Sequence, residues 1–237
     1  MYDGELPEIY DMIYRSRGKD YAEETASVAR LVREARPDAR SLLDMACGTG
    51  PHLAHFAELF EHVEGVELSE DMLALAKRRL PDVPLTKGDM RDFDLGRTFD
   101  AVTCMFSSIA HMADAGELDV AVSRLAHHLV PGGVLVIEPW WFPERFASGY
   151  VASDSASEDG RTVVRVSHSR VEGRMTRMEV HYLVAEAEEG IRHFTDTLFM
   201  TLFTREEYEH ALRKAGCAPT YIEGGPSGRG LFLGVRD

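Results

Sequence analysis

The chain has 237 residues, 44% hydrophobic and 28% charged, a composition typical of one large globular domain. Its formal net charge of −14 argues against a nucleic-acid partner, because an acidic surface repels phosphate backbones. No segment has the roughly 20 apolar residues of a membrane span or the basic start and apolar run of a signal peptide, so we expect no membrane partner.

Strands and helices alternate over the first 141 residues. Helical spacing of apolar residues predicts two N-terminal helices at 7–15 and 21–36. The following segments predict strands at 41–47, 62–68, 83–87, 99–106 and 134–138, with helices at 51–59, 71–80 and 118–129 between them. Ser69 is placed to cap the helix at 71–80. This alternation predicts a doubly wound parallel sheet, Rossmann-like, with helices on both faces.

The pattern changes after Trp141. Segments 162–171, 174–185 and 192–203 are rich in Val, Thr and aromatic residues and lack a helical period, which predicts an antiparallel β insertion. Thr204 and Glu207 form a capping box that begins a last helix, and two short strands end the chain. We therefore predict one α/β domain with a helical lid (1–36), a ligand-binding core (37–141), an insertion (142–203) and a C-terminal helix with strands (204–237).

The segment Leu-Leu-Asp-Met-Ala-Cys-Gly-Thr-Gly at 42–50 places glycines where a strand turns into a helix. Glycine lets the backbone pass close to a ligand there. Dinucleotide folds share such a turn, but their fingerprint has a third glycine three residues after Gly50, where this chain has Leu53. Asp44 ends the strand, and its carboxylate suits a cationic amino-acid group better than a phosphate.

Two more acids follow the next two strands. Glu67 lies about 20 residues after the turn, where a carboxylate accepts hydrogen bonds from ribose hydroxyls. Asp89 follows the third strand and suits an adenine amino group. We interpret these acids and the turn as an S-adenosylmethionine site. The other residues predicted at the cofactor are Tyr10, Ala46, Cys47, Gly48, Gly50, Leu68, Met90 and Met105.

The three cysteines are far apart and contain no C-x-x-C pair. This spacing argues against a disulfide framework and against a metal site, and it favours a reducing cytoplasm. We expect Cys47 to be a small buried residue beside the turn and not a nucleophile.

Three further stretches are narrower signals, namely Cys-Met-Phe-Ser-Ser-Ile-Ala-His at 104–111, Glu-Pro-Trp-Trp-Phe-Pro at 138–143 and Gly-Gly-Pro-Ser-Gly-Arg-Gly-Leu-Phe at 224–232. With Arg-Gly-Lys-Asp-Tyr at 17–21 they resemble the N,N-dimethyltransferases of TDP-linked 3-amino-3,6-dideoxy sugars in macrolide biosynthesis, the desosamine and mycaminose type. The resemblance covers nearly the whole chain. It implies a class I methyltransferase sheet, a homodimer, and two successive methylations of a sugar amine.

The predicted substrate residues supply donors and aromatic rings for a nucleotide-sugar. Arg229 lies in the glycine-rich loop to which the resemblance assigns the diphosphate, and arginine donates two hydrogen bonds at once. Trp140, Trp141 and Phe142 follow the fifth strand and suit a thymine or hexose face. The other predicted contacts are Tyr2, Tyr14, Arg17, Lys19, Tyr21, Ser108, Arg165, His168 and Arg170.

His111 follows the fourth strand, near the expected position of the transferred methyl group. Histidine titrates in a range that suits a general base, and the same side chain would also suit a hydrogen bond that only positions the sugar. Three alternatives to the whole interpretation stay open: an O- or C-methyltransferase of small molecules, a cofactor-binding protein without catalysis, and an NAD-dependent oxidoreductase, which Leu53 disfavours.

Overall fold

Eleven strands form two sheets in the computed structural model, which describes residues 6–237. They are β1 (Ser41–Met45), β2 (His62–Glu67), β3 (Leu85–Lys87), β4 (Phe99–Cys104), β5 (Leu129–Ile137), β6 (Tyr150–Glu158), β7 (Arg161–Glu172), β8 (Met175–Glu186), β9 (Gly190–Thr201), β10 (Cys217–Ile222) and β11 (Leu231–Arg236). The central sheet has the order β10-β11-β5-β4-β1-β2-β3. Strands β1 to β5 are parallel, while β11 runs antiparallel to β5 and to β10. The predicted fold is confirmed.

Six α-helices and two 3-10 helices, at Ser108–His111 and Pro143–Arg145, accompany the strands in the described part of the chain. The α-helices are α1 (Leu6–Ser16), α2 (Tyr21–Ala35), α3 (Pro51–Leu59), α4 (Glu70–Arg79), α5 (Ala115–His127) and α6 (Arg205–Lys214). The predicted caps form: Ser69 accepts from the amide of Met72 at 3.2 Å, and Thr204 with Glu207 makes the capping box. None of the helices in residues 6–237 is long and apolar enough to span a membrane.

The central sheet is covered on both faces because neighbouring residues of a strand point in opposite directions. Leu42 packs in one apolar cluster with the α2 and α3 side chains Val32 and Phe56. Leu43, the next residue of β1, packs in the other cluster with Leu118 of α5 and further side chains of α5 and α6. The carboxyl ends of the parallel strands therefore remain as the open edge of the sheet.

Strand β5 differs from the prediction, which placed a turn at 131–133 before a strand. The strand begins at Leu129 and includes those residues. Its pairing with β4 moves from Phe99–Leu129 to Ala101–Val134, so the Pro-Gly-Gly segment forms an irregularity inside the strand. A bulge of this kind accommodates Pro131, which has no amide hydrogen for the ladder.

The insertion is a four-stranded antiparallel sheet in the order β6-β7-β8-β9. The sequence predicted three of these strands and missed β6. The inner face of this sheet packs on α1, where Ile9 and Ile13 join Val163, Val180 and Val184 in a third apolar cluster. The predicted lid helix is thus bound to the insertion through its apolar side chains.

Candidate active site

The glycine turn between β1 and α3 offers an open backbone surface. Gly48 has φ +59° and Gly50 has φ +82°, the left-handed region that favours glycine. A Cβ at Gly50 would approach a Leu80 methyl group at 3.2 Å, whereas a Cβ at Gly48 would meet no atom within 4 Å. Gly50 therefore allows the helix to begin, and Gly48 leaves space in which a ligand can approach the main chain.

Asp44 lies buried at the end of β1. The hydroxyl of Thr103 on β4 donates to its Oδ1 at 2.7 Å. Burial raises the pKa of this carboxyl to about 6, because the low-dielectric interior disfavours the charged form. A cationic ligand group at this place would restore the charged form, so Asp44 fits the amino-acid end of S-adenosylmethionine.

Glu67 ties the end of β2 to the glycine turn. Its Oε2 accepts from the amide of Gly48 at 2.8 Å, and its Oε1 accepts from the amide of Ser69 at 2.8 Å. These two bonds orient the carboxylate at the edge of the sheet. Leu68, the next residue, is exposed.

Asp89 lies after β3 and is held by a neighbour that the sequence argument did not single out. Arg91 donates to its carboxylate through Nε at 2.9 Å. This hydrogen bond is the main reason why the pKa of Asp89 lies below its ordinary value. The carboxylate is therefore charged at neutral pH and oriented along the edge of the sheet.

The remaining predicted cofactor residues lie around the same edge. Ala46 has φ +58° directly before the turn. Burial raises the pKa of the Cys47 thiol, which keeps it protonated and agrees with a packing role. Met90 and Met105 are both buried among apolar side chains, on opposite faces of the sheet.

A cavity of about 630 Å³ lies between α1, the segment after β5, the insertion sheet and the glycine-rich loop. Eight of the predicted residues line it, namely Tyr10, Tyr14, Arg17, Lys19, Trp140, Trp141, Arg165 and Arg229. Sequence reasoning missed several lining residues, including Glu24, Phe106, Arg145, Ser167, Ser169, Met178 and Ser227. Five of the described lining side chains are Lys or Arg and one is a carboxylate, and each of the five cations is paired with an acid: Glu24, Glu138, Asp154 or Glu223.

Arg229 is held in place by a buried acid. Its Nη2 lies 3.0 Å from Oε1 of Glu138, which is fully buried at the end of β5. Glu138 also accepts from the amide of Phe106 at 2.7 Å. The guanidinium stacks over the rings of Trp140 and Trp141, at 5.1 and 5.9 Å from their centroids. The glycine-rich loop is thereby fixed beside the aromatic pair.

Four buried polar atoms of the lining residues have no hydrogen-bond partner among the described residues. They are Nε of Arg229, Nε1 of Trp140, Nε of Arg165 and Oγ of Ser227. Each of them can donate a hydrogen bond, and a buried donor without a partner costs about 1–3 kcal/mol. Each of these four donors is shielded from solvent by the protein around it.

The predictions for β7 were partly wrong. Arg165, 3% exposed, faces the cavity and donates to the hydroxyl of Ser167 at 3.0 Å. Asp154 on β6 pairs with Arg165 at 3.3 Å and with Arg17 at 3.4 Å. His168 and Arg170 lie on the opposite, exposed face of the sheet, because side chains alternate along a strand.

Two other predicted substrate residues do not line the cavity. Phe142 is 5% exposed and packs in the core against Tyr221 and Phe232, with ring centroids 5.6 and 6.3 Å away. The chain turns after Trp141, so the three aromatic residues do not share one face. The hydroxyl of Ser108 donates to the carbonyl of Met105 at 3.1 Å, which caps a local turn.

The tyrosines of the N-terminal segment have different surroundings. Tyr14 contacts Tyr10 and Phe106, with centroids 4.6 and 4.8 Å away, and forms one wall of the cavity. Tyr21 is buried behind that wall with its ring against His52, and it does not line the cavity. Tyr2 lies outside the described residues.

His111 ends the 3-10 helix after β4. Its Nδ1 lies 3.2 Å from the carbonyl oxygen of Phe199 on β9, and because a carbonyl only accepts, Nδ1 carries the hydrogen. Burial lowers the pKa of the ring, which makes it neutral at pH 7 with Nε2 as the basic nitrogen. His111 is not among the described residues that line the cavity.

Comparisons with known proteins agree with this geometry. Residues 42–133 match a family model described as a methyltransferase domain. The sequence is 58% identical to the dTDP-3-amino-3,6-dideoxy-alpha-D-glucopyranose N,N-dimethyltransferase of Streptomyces fradiae, over 99% of this chain and 92% of the relative. The fold matches the crystal structure of Streptomyces venezuelae DesVI, with a TM-score of 0.96 and 56% identity over 100% of both chains. It also matches SAM-bound CalS10, an amino pentose methyltransferase from Micromonospora echinaspora, with a TM-score of 0.90 and 55% identity over 97% of each chain.

Proposed function

Because this chain belongs to the family of dTDP-amino-sugar N,N-dimethyltransferases, we propose that it methylates the C-3 amine of a TDP-linked 3-amino-3,6-dideoxy sugar twice, in the deoxysugar biosynthesis of a macrolide. Family membership makes the protein an S-adenosylmethionine-dependent N-methyltransferase. The predicted family, enzyme class and cofactor are confirmed. The O- or C-methyltransferase and the NAD-dependent oxidoreductase are set aside, because the relatives that match nearly the whole chain are named N,N-dimethyltransferases.

The observation that carries the choice of substrate is the set of five Lys and Arg side chains that line the cavity. A diphosphate can accept hydrogen bonds from groups of this kind. We assign it to Arg229 and Ser227 in the glycine-rich loop, with Arg165 and Arg17 as the cations on the opposite wall. The rings of Tyr14 and Trp141 suit the apolar faces of the base or the hexose.

We assign the cofactor to the edge formed by β1, β2 and β3. Asp44 would hold the cationic amino-acid end, Glu67 the ribose hydroxyls and Asp89 the adenine amino group. The backbone at Gly48 would lie against the ligand, since a Cβ there meets no protein atom within 4 Å. When bound, S-adenosylmethionine supplies an electrophilic methyl group on a sulfonium.

The main task of the protein residues is alignment. An in-line displacement on a methyl group requires the amine nitrogen to lie behind that group, and orientation of this kind contributes much of the barrier reduction. The amine also has to be unprotonated. We assign His111 to that role because burial lowers the pKa of its ring and keeps the imidazole neutral at pH 7. The alternative role is a hydrogen bond that only positions the sugar.

We further propose that the enzyme is a homodimer and works in the cytoplasm. The outer face of the insertion sheet exposes several large apolar side chains, among them Val166, Leu183, Ile191 and Phe199, and their burial against a second copy of the chain would be favourable. The three cysteines are free thiols, which suits a reducing compartment. Sedimentation of the wild type and of Leu183→Lys tests the dimer: a wild-type monomer would contradict it.

Mass spectrometry tests the proposed reaction. The protein is mixed with S-adenosylmethionine and a TDP-3-amino-3,6-dideoxyhexose, and we expect the sugar to gain one and then two methyl groups. The same sugar without the nucleotide should react poorly, because it lacks the diphosphate that the cavity donors bind. A mixture in which the amino sugar stays unchanged while a phenol becomes methylated would contradict the proposal and support an O-methyltransferase.

A further inference from the structure

Helix α1 contacts the substrate cavity and the cofactor turn with different residues. Tyr10 and Tyr14 line the cavity. Asp11, between them in the helix, points to the glycine turn, where its Oδ1 accepts a hydrogen bond from the hydroxyl of Thr49 at 2.6 Å. Thr49 is 1% exposed and stands between Gly48 and Gly50. One rigid helix therefore touches both ligand sites.

Arg79, the last residue of α4, completes this contact. Its Nη1 donates to the carbonyl of Thr49 at 2.6 Å, and its Nη2 pairs with Oδ2 of Asp11. The carboxylate of Asp11 thus contacts both the hydroxyl of Thr49 in the turn and the guanidinium of Arg79 at the end of α4. Neither Asp11 nor Arg79 lines the substrate cavity, so the contact lies outside the site described above.

The packing around α1 indicates that the contact of Asp11 with Thr49 and Arg79 helps to set the position of the helix. The buried apolar side chains of α1 pack in the cluster of the insertion sheet, which contains no residue of the central sheet. A second polar junction exists nearby, where Glu24 pairs with Lys19 at 2.6 Å and with His52 of α3 at 2.7 Å. Helix α1 is therefore joined to the cofactor turn by polar contacts, whereas α2 also packs on α3 through apolar side chains such as Val32 and Phe56.

We propose that Asp11 is a positioning residue that couples the two ligand sites. A cofactor lying against Gly48 fixes the turn and with it the hydroxyl of Thr49. The contact to Asp11 then holds α1 in the position in which Tyr10 and Tyr14 close the cavity. Coupling between binding sites is reciprocal, so an occupied cavity strengthens cofactor binding by the same factor. This inference rests on the proposed function, because it takes a nucleotide-sugar as the ligand of the cavity.

Calorimetry on the full chain measures the coupling. The affinity for S-adenosylhomocysteine is determined alone and with saturating TDP, and the ratio of the two values is the coupling factor. For the wild type we expect S-adenosylhomocysteine to bind about 5- to 20-fold more tightly with TDP, within the usual range of such couplings. In Asp11→Ala and Thr49→Val, which both remove the hydrogen bond between the two side chains, the ratio should fall close to one. Thr49→Ser, which keeps the hydroxyl, should retain the wild-type ratio.

Glu8→Gln is the matched control. It also removes an acid of α1, but Glu8 faces Arg161 of the insertion at 4.0 Å and not the turn, so we expect the wild-type ratio. A merely structural role of Asp11 would lower the melting temperature without changing the ratio, and this outcome would overturn the inference. Binding of both ligands to the wild type without coupling would overturn it as well. Failure of TDP to bind the wild type at all would overturn the proposed function together with this inference.

Discussion

The pH dependence of cofactor affinity tests the role of Asp44. In the ligand-free protein, burial raises the pKa of this carboxyl to about 6. The protonated α-amino group of the cofactor binds the ionised carboxylate. With a pKa of about 6, roughly one molecule in ten is ionised at pH 5 and roughly nine in ten are ionised at pH 7. The affinity for S-adenosylhomocysteine should therefore be about tenfold lower at pH 5 than at pH 7.

Asp44→Asn removes both the titration and the negative charge. A hydrogen bond to a charged group contributes about 1.5–3 kcal/mol, so we expect the affinity at pH 7 to fall by about one to two orders of magnitude. The remaining affinity should be nearly constant between pH 5 and pH 7. Isothermal calorimetry of the wild type and of Asp44→Asn at pH 5 and pH 7 measures these four affinities for S-adenosylhomocysteine.

The raised pKa of Asp44 also affects the stability of the ligand-free protein: affinity for the cofactor increases with pH, whereas this contribution to stability decreases. A group with a higher pKa in the folded state contributes stability at low pH, and this contribution is lost as the pH rises from about 4 through about 6. At about 1.36 kcal/mol per pKa unit, the change from 3.8 to about 6 corresponds to about 3 kcal/mol. Asp44→Asn should thus stabilise the ligand-free protein at pH 7 by up to about 3 kcal/mol, as measured by urea unfolding.

Two results would refute this account. A wild-type affinity that does not change between pH 5 and pH 7 would mean that Asp44 is not the counter-charge of the ligand. An Asp44→Asn protein that is less stable than the wild type at pH 7 would mean that the buried carboxylate is compensated by contacts other than its bond to Thr103.

Three further substitutions separate the roles of the other site residues. Arg229→Ala should raise the KM for the sugar nucleotide at least tenfold, while the affinity for S-adenosylhomocysteine stays the same. It should also destabilise the protein by about 3 kcal/mol, since Glu138 would remain buried and unpaired. The double variant with Glu138→Gln should recover the melting temperature but not the KM. His111→Asn should lower kcat by about 10² and remove the acidic decline of kcat with pH, whereas an unchanged pH profile of kcat would leave His111 only a positioning role. Phe142→Ala should cost about 3 kcal/mol of stability in thermal unfolding and leave the KM for the sugar nucleotide unchanged, and a large rise in that KM would contradict its place in the core.

The cofactor end of the site was predictable because it depends on local order along the chain. Asp44, Glu67 and Asp89 each stand at or just after the carboxyl end of a parallel strand, and such ends meet at one edge of a doubly wound sheet. The glycine turn adds a backbone signal of its own. No long-range pairing was needed to bring these groups together.

The errors at the substrate end have physical causes. His168 and Arg170 were grouped with Arg165, although a period of two residues places even and odd positions of β7 on opposite faces. Strand β6 was missed because Ser, Asp and Glu, which have low strand propensity, make up most of it. It is an edge strand, paired only with β7, and its outer side chains need no apolar cover.

The contacts that shape the cavity could not be predicted from the sequence, because they join segments that are far apart along the chain. Glu138 meets Arg229 across 91 positions, and Asp154 lies between Arg165 on its neighbouring strand and Arg17 in the lid. In the sequence alone, an arginine that forms a buried ion pair cannot be distinguished from an arginine on the surface. The partners show here that Arg165 is buried and Arg229 largely buried, each paired with an acid beside the cavity.

The two ends of the site carry different charged groups, and the chemistry of methyl transfer suits both. Acids at the ends of β1, β2 and β3 suit a cationic methyl donor, whereas arginines line the cavity proposed for an anionic nucleotide. Transfer of the methyl group to the neutral amine leaves a positive charge on the nitrogen. The ammonium then has to lose a proton, to His111 or to water, before a second methylation, since only the neutral amine attacks. A proton acceptor is therefore needed between the two transfers as well as before the first.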